Sequence, residues 1–342
     1  MKKFFGISIL LMATGIFPNV VLAQKNKIDK VNLLYLQKLN DSLGKEGIRI
    51  LDEIFPLNRI KSDSLFTRML VRGLLTPYSF HFAFDSIQTA PILYPADSSF
   101  RIFTWHYTLN DADYRQKGVL QMNTPDGSPQ FFPLFDVSDY TDEPQDSIRD
   151  NRNWIGAVYY KILQQEVQGK KVYFLIGYDE NNSLTTRKWI EALTFNEKGE
   201  PVFGGNFFRI PYNSVFTEGS RRYLMEYKSG SRARLNFDEE EGMIIMDFLI
   251  SETGEPDKRY TLVPGGDYSG LIWKNGAWEY IARLDVDMLG DGNEPRPALI
   301  LNDDGSAKED VLQKQSDKNM KQTKPDNKTP PPAKPSTKKG GS

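Results

Sequence analysis

Apolar residues recur along this chain with two different periods. Near the start, Ile28, Val31, Tyr35 and Leu39 return every three or four positions, which places them on one face of an amphipathic helix. That helix is expected to end at Gly44 or Gly47. Residues 64–75 repeat the pattern with Leu65, Met69, Leu70 and Gly73 on one side. Ser62 or Asp63 stands where a cap belongs, and Pro77 blocks continuation. Beyond Pro77 the period shortens to two, the mark of strands. In the run 271–281, Asn275-Gly276 separates two alternating aromatic stretches, as a type I′ hairpin turn requires. Asp126-Gly127, Lys198-Gly199, Glu241-Gly242 and Thr253-Gly254 punctuate the chain in the same way. The runs 154–167 and 172–178 read as two longer strands joined through Gly169. Residues 185–193 fit helix or strand and are read as strand beside their neighbours. The fold class is therefore mainly β, an antiparallel meander of sandwich or barrel type with a short helical N-terminal region.

The two ends differ from this body. Lys2 and Lys3 precede an apolar run from Phe4 to Phe17, and Val21-Leu22-Ala23 precedes Gln24. This is the plan of a secretory signal peptide with cleavage after Ala23, and the run is shorter than the roughly 20 residues of a membrane span. The expected organisation is a leader over 1–23, a helical region over 24–76 and a β domain over 77–302. A disordered Lys/Pro-rich tail would follow over 303–342. Within the β domain, the acidic stretch holding Asp136, Asp139, Asp142, Glu143, Asp146 and Asp150 is an expected loop, with an internal boundary near 138–152.

Composition narrows the function classes. With 12% aromatic residues the chain has ample core material, and with no Cys it can form neither a lipoprotein anchor, nor a disulfide, nor a thiolate zinc site. Of the formal net charge of −2, the leader contributes +2 and the segment 311–342 contributes +6, which leaves the body at −10. Nucleic acid is thus not the expected partner, although the basic tail suits anionic polymers. The expected address is the periplasm or the outside, soluble or peripherally attached, with no integral membrane span.

The segments 100–105, 173–179, 187–195, 201–204, 222–227 and 271–278 resemble a family of uncharacterised exported proteins of Bacteroidota. The likeness covers about residues 60–285. It implies an envelope location and a β-rich body, and it brings no activity. Asn110-Asp111-Ala112 departs from the Gly-Gly-Thr turn of that family. Four Asp-Ser-aliphatic triplets, containing Ser42, Ser64, Ser86 and Ser147, resemble the O-glycosylation acceptor of exported Bacteroidota proteins. Ser147, in the acidic loop, is the candidate, with capping and turn formation as the alternative.

No complete catalytic set is visible. His81 and His106 sit beside aromatics in expected strands, where a sheet histidine is the simpler reading than a catalytic base. Ser42 and Lys45 match a Ser-x-x-Lys pair without its companion motifs. Gly265, Gly266 and Gly270 are expected to form a turn between strands rather than a phosphate loop. The segment 285–294 is a partial calcium loop: Asp287, Asp291 and Asn293 occupy ligand positions, but Leu289 and Pro295 fall where oxygens belong. An acidic turn at the end of the last strand is the competing reading. The leading expectation is a non-enzymatic binding or structural protein of the cell envelope, without a cofactor unless calcium binds, that meets an envelope protein or glycan. The alternative is a carbohydrate-binding or glycan-cleaving protein using exposed Trp and a carboxylate pair. The five Trp residues could supply such faces, although core packing is the simpler use of most aromatics; Trp273 and Trp278 flank one hairpin turn and are expected on opposite faces or diagonally.

Overall fold

The computed structural model describes residues 28–110, 113–141, 144–211 and 220–284. The expected leader with its cleavage after Ala23, the calcium candidates Asp287, Asp291 and Asn293, and the tail lie outside the described residues.

Helices α1 (Lys30–Asp52) and α2 (Pro56–Leu74) form an antiparallel hairpin. Asp29 caps α1 by accepting the Asn32 N–H at 2.9 Å, and Pro56 opens α2 at the position that needs no N–H donor. Two expectations need correction here. α1 does not stop at Gly44 or Gly47 but runs through both. A Cβ on Gly44 would lie 2.6 Å from the Ser86 carbonyl oxygen, and one on Gly47 2.5 Å from Thr89 Oγ1. These glycines let the 85–89 loop press against the helix, and they terminate nothing. The buried stripe is accordingly Leu36, Leu39, Leu43 and Ile50, while Val31 and Tyr35 face solvent. Asp63 caps nothing either: it is buried within α2.

Fifteen strands follow among the described residues, in three sheets. The first is β1 (Ile92–Leu93), β2 (Phe100–Asn110), β3 (Asp113–Met122) and β4 (Phe131–Phe135), in sequential order and antiparallel. The second holds β5 (Arg149–Asp150), β6 (Val158–Val167), β7 (Lys170–Asp179), β8 (Thr185–Phe195), β9 (Pro201–Phe203) and β11 (Arg222–Lys228). One edge of β8 pairs with β7. Its other edge is shared, with β11 along residues 185–191 and β9 along 193–195. The third sheet runs β10 (Phe208–Arg209), β15 (Ala277–Leu284), β14 (Leu262–Lys274), β13 (Met243–Ser251), β12 (Leu235–Asp238), with only the β10–β15 pair parallel. The mainly β, antiparallel class with N-terminal helices is thus present. No described helix is long and apolar enough to cross a membrane.

These elements stack in four layers. Leu36, Phe66 and Leu70 of the helices pack on Phe103, Trp105 and Val119 of the first sheet. The opposite face of that sheet presents Phe100, Ile102 and Leu120 to Tyr159, Leu175, Trp189 and Leu193 of the second. The far face of the second sheet carries Val172, Phe174, Ile176 and Ile190 against Ile244, Met246, Leu271 and Trp278 of the third. Successive residues of a strand point to opposite faces, so a sheet covered on both sides must be apolar at every position. Residues 172–176, an unbroken apolar run, meet that demand. The acidic stretch 136–150 is the passage from the first sheet to the second, inside one compact unit.

Further details depart from expectation. Asn275 and Gly276 both have positive φ (51° and 76°), as a type I′ turn requires. The tight turn makes Trp273 and Trp278 direct cross-strand partners on one face, with ring centroids 5.3 Å apart. They lie neither on opposite faces nor diagonally. Gly265 and Gly266 form no turn between strands: they lie inside β14, opposite a register shift at Phe248. His81 ends a short 3-10 turn (Ser79–His81) and is exposed, not in a strand.

Two buried polar groups hold the layers in register. Asp63, 1% exposed, accepts Trp105 Nε1–H at 2.9 Å and an Nζ–H of Lys117, which ties α2 to the first sheet. Arg101 is wholly buried, without a carboxylate partner among the described residues. It donates to the carbonyls of Ser79 and Phe82 and lies against the rings of Phe80, Phe84 and Phe103. The 79–84 turn is thereby moored to β2.

Candidate binding site

At one end of the second sheet, the core between the second and third sheets gives way to a cleft of about 410 Å³. Tyr160 comes from β6, Tyr178 from β7, Thr186 and Lys188 from β8, and Tyr227 from β11. Register brings them together: Tyr178 is the direct partner of Lys188, and Thr186 is that of Tyr227. Tyr160 is the extra residue at an irregularity in the β6–β7 ladder. The turn ahead of β12 adds Arg232 and Ala233 as a wall, and Glu180 lies at the mouth.

The floor is fixed by its own bonds. Tyr160 donates its hydroxyl to the Leu235 carbonyl at 2.5 Å, and Lys188 Nζ lies 5.7 Å from the Tyr160 ring centre. Thr186 Oγ1 donates to Glu180 Oε2 at 3.3 Å. Burial raises the Tyr178 phenol above its ordinary value and pushes that of Tyr227 up to about 12, with the charge of Glu180 adding to both. These hydroxyls therefore stay protonated donors at neutral pH. Burial also holds Lys188 below the ordinary lysine value, with the charge of Asp247 opposing. Lys188 forms no salt bridge among the described residues, nor does the exposed Arg232.

Behind Tyr178 lies a second polar cluster, between the first and second sheets. Asp179 is 4% exposed and accepts the Asn181 N–H at 2.8 Å and an amide N–H of Gln116. Burial raises its carboxyl to about 7, with the charge of Asp136 adding to the rise. Asp136 is raised by burial as well. The His106 ring sits 6.0 Å from that of Tyr178, and burial lowers its pKa. It is thus a neutral, half-buried sheet histidine.

The sequence candidates fall elsewhere. Ser147 follows a 3-10 turn (Pro144–Asp146) and is half-buried; its Oγ accepts Arg149 Nε–H at 2.8 Å and its carbonyl accepts from Arg222 at 2.7 Å. Ser42 lies inside α1, its hydroxyl on the Lys38 carbonyl. Within the described part of the acidic stretch, Asp139 pairs with Arg115 at 2.6 Å, and Asp150 accepts the Arg152 N–H. A second, polar concavity of about 540 Å³ beside it is lined by Arg149, Asp150, Arg152, Lys198 and Glu200. Its Asp150 and Asn196 bond the backbone of their own turns. No described group of three or more His, Asp or Glu residues is placed to hold a metal ion. Trp105, Trp154, Trp189 and Trp278 are buried and Trp273 is half-buried, so the exposed Trp of the glycan alternative does not exist; the aromatic residues lining the cleft are tyrosines.

Sequence reasoning missed the cleft, although Arg187-Lys188 had drawn notice. The usable signal was Lys188 standing on the same strand parity as Ile190 and Ala192, a charge on a core-facing register. No family model, no curated protein and no solved structure matches this chain.

Proposed function

We propose that this is an exported, non-enzymatic binding protein of the cell envelope, soluble or peripherally attached, whose ligand docks in the tyrosine cleft. The single observation that carries the reading is a half-buried lysine, without a salt bridge among the described residues, in a cleft that three tyrosines line at an open sheet end. Concave sites with a few convergent polar groups on a rigid scaffold are the usual form of ligand sites. The leader pattern and the absence of cysteine support an exported protein without a lipid anchor. Glu180 is the one carboxylate in the cleft lining, which disfavours acid–base hydrolysis by a carboxylate pair. The test is co-sedimentation of the purified protein with insoluble envelope polysaccharide and peptidoglycan. The expected result is retention that falls at least about tenfold in Tyr178→Ala. Absence of retention, or equal retention of the variant, would overturn the reading.

A further inference from the structure

We propose that the ligand of the tyrosine cleft is an acidic saccharide, a sugar chain bearing uronic-acid-type carboxylates. Lys188 and Arg232 would receive a carboxylate while tyrosine rings pack on the sugar faces. The inference rests on the cleft being the ligand site and adds the class and charge of the ligand.

Three features argue for it. Lys188 projects from β8, a strand paired on both edges, so its ammonium is presented by a rigid element. A partly desolvated cation without a partner is a cost to the empty protein, and an arriving anion removes it. A neutral sugar can accept hydrogen bonds from the ammonium but brings no charge to compensate it. Lys188 has no salt bridge among the described residues: the charge of Asp247 reaches it, but that carboxylate accepts the Arg234 N–H at 2.5 Å, and Glu180 accepts from Thr186.

Secondly, the remaining groups suit a sugar better than a simple anion. Tyr178 and Tyr227 keep their protons and can donate to ring or hydroxyl oxygens, and Glu180 is an acceptor for sugar hydroxyls. Tyrosine supplies a flat apolar face with a polar rim, which matches the CH and OH faces of a pyranose. Thirdly, the global charge works against indiscriminate polyanion binding. Residues 24–310 carry −10, so long-range attraction does not draw nucleic acid, and recognition depends on the local Lys188–Arg232 pair.

The experiment is calorimetric titration of the exported protein with trigalacturonate and, separately, with neutral maltotriose, at low and high salt. Trigalacturonate is expected to bind at least about tenfold more tightly than maltotriose and to weaken as salt rises. Lys188→Met should cost about tenfold in trigalacturonate affinity, and Lys188→Arg should retain most of it. Arg232→Glu, at an exposed position, should weaken trigalacturonate by a larger factor than maltotriose. Equal affinities for the two sugars with no effect of Lys188→Met would overturn the acidic assignment. The cleft itself would then stand or fall by Tyr178→Ala in the sedimentation assay. No binding of trigalacturonate would also overturn the inference, and retention on envelope material would show separately whether the cleft binds something else.

Discussion

Removing Arg222 should unfasten the centre of the molecule. Arg222 and Glu191 are direct cross-strand partners on β11 and β8, each fully buried. Arg222 Nε donates to Glu191 Oε1 at 2.7 Å; Glu191 Oε2 accepts the Tyr159 hydroxyl at 2.6 Å, which in turn accepts Trp154 Nε1–H at 2.8 Å. The other guanidinium nitrogens donate to the carbonyls of Pro144, Ser147 and Phe203. One side chain thus clamps the 144–147 segment and the end of β9 to the centre of the second sheet. Arg222→Met leaves Glu191 buried with one hydroxyl for company and strands those carbonyls. Losing one partner of a buried pair costs about 3–5 kcal/mol, and the stranded carbonyls place this site at the upper end of that range. Glu191→Leu combined with Arg222→Met removes both charges at similar volume and should recover about 1–4 kcal/mol of the single-variant loss. The assay is urea unfolding followed by the fluorescence of Trp154 and Trp189, both in this layer, with a double-mutant cycle. A cost under about 1 kcal/mol for Arg222→Met, or a double variant as unstable as the sum of the singles, would refute the reasoning.

Three further outcomes follow from the same coordinates. The raised carboxyl of Asp179 makes the folded state bind a proton more tightly than the unfolded chain, so its contribution is complete below the unfolded value of 3.8 and is lost as pH rises through about 7; melting temperature should fall from pH 5 to 8, and Asp179→Asn should flatten that slope, with an unchanged slope counting against the assignment. Asp63→Ala deprives Trp105 and Lys117 of their acceptor, at a cost of about 2–3 kcal/mol, and hydrogen exchange should speed up across residues 30–74 before the sheets respond. Gly44→Ala sets helix propensity, a gain of about 1 kcal/mol, against a Cβ 2.6 Å from the Ser86 carbonyl oxygen; the clash should win by about 1–2 kcal/mol, and a rise in melting temperature would show that the 85–89 loop yields.

Strands and turns were legible in the sequence because their causes are local. Asn275-Gly276 takes the two positive φ values that its residue types make cheap, and 172–176 is apolar at both parities because two layers cover it. The long-range pairings were not legible. Asp63 reads as a cap because an acid before an apolar run usually is one, and only the approach of β2 and β3 makes it the acceptor for Trp105 and Lys117. Gly44 and Gly47 read as stops because nothing nearby in sequence announces the loop that needs their missing side chains. The Glu191–Arg222 pair joins neighbouring strands β8 and β11 that β9 and β10 separate in sequence, so neither residue predicts the other.

The cleft shows what a sequence reading by strand parity could have recovered. On the face of the second sheet that meets the third, β7 presents Val172, Phe174 and Ile176, then Tyr178; β8 presents Ala192 and Ile190, then Lys188 and Thr186. β11 adds Tyr223 and Met225, then Tyr227. In β7 and β8 the core-facing parity turns from apolar to polar within one or two positions, and in β11 it ends on the Tyr227 phenol. Antiparallel pairing brings these three changes to the same end of the sheet. A single such change is a strand running out of its core. Three in register mean that the covering layer stops short while the floor continues, which is the physical definition of an open cleft. Its chemistry is then set by what the floor keeps there: two phenols, a third from β6 and one ammonium without a salt bridge among the described residues.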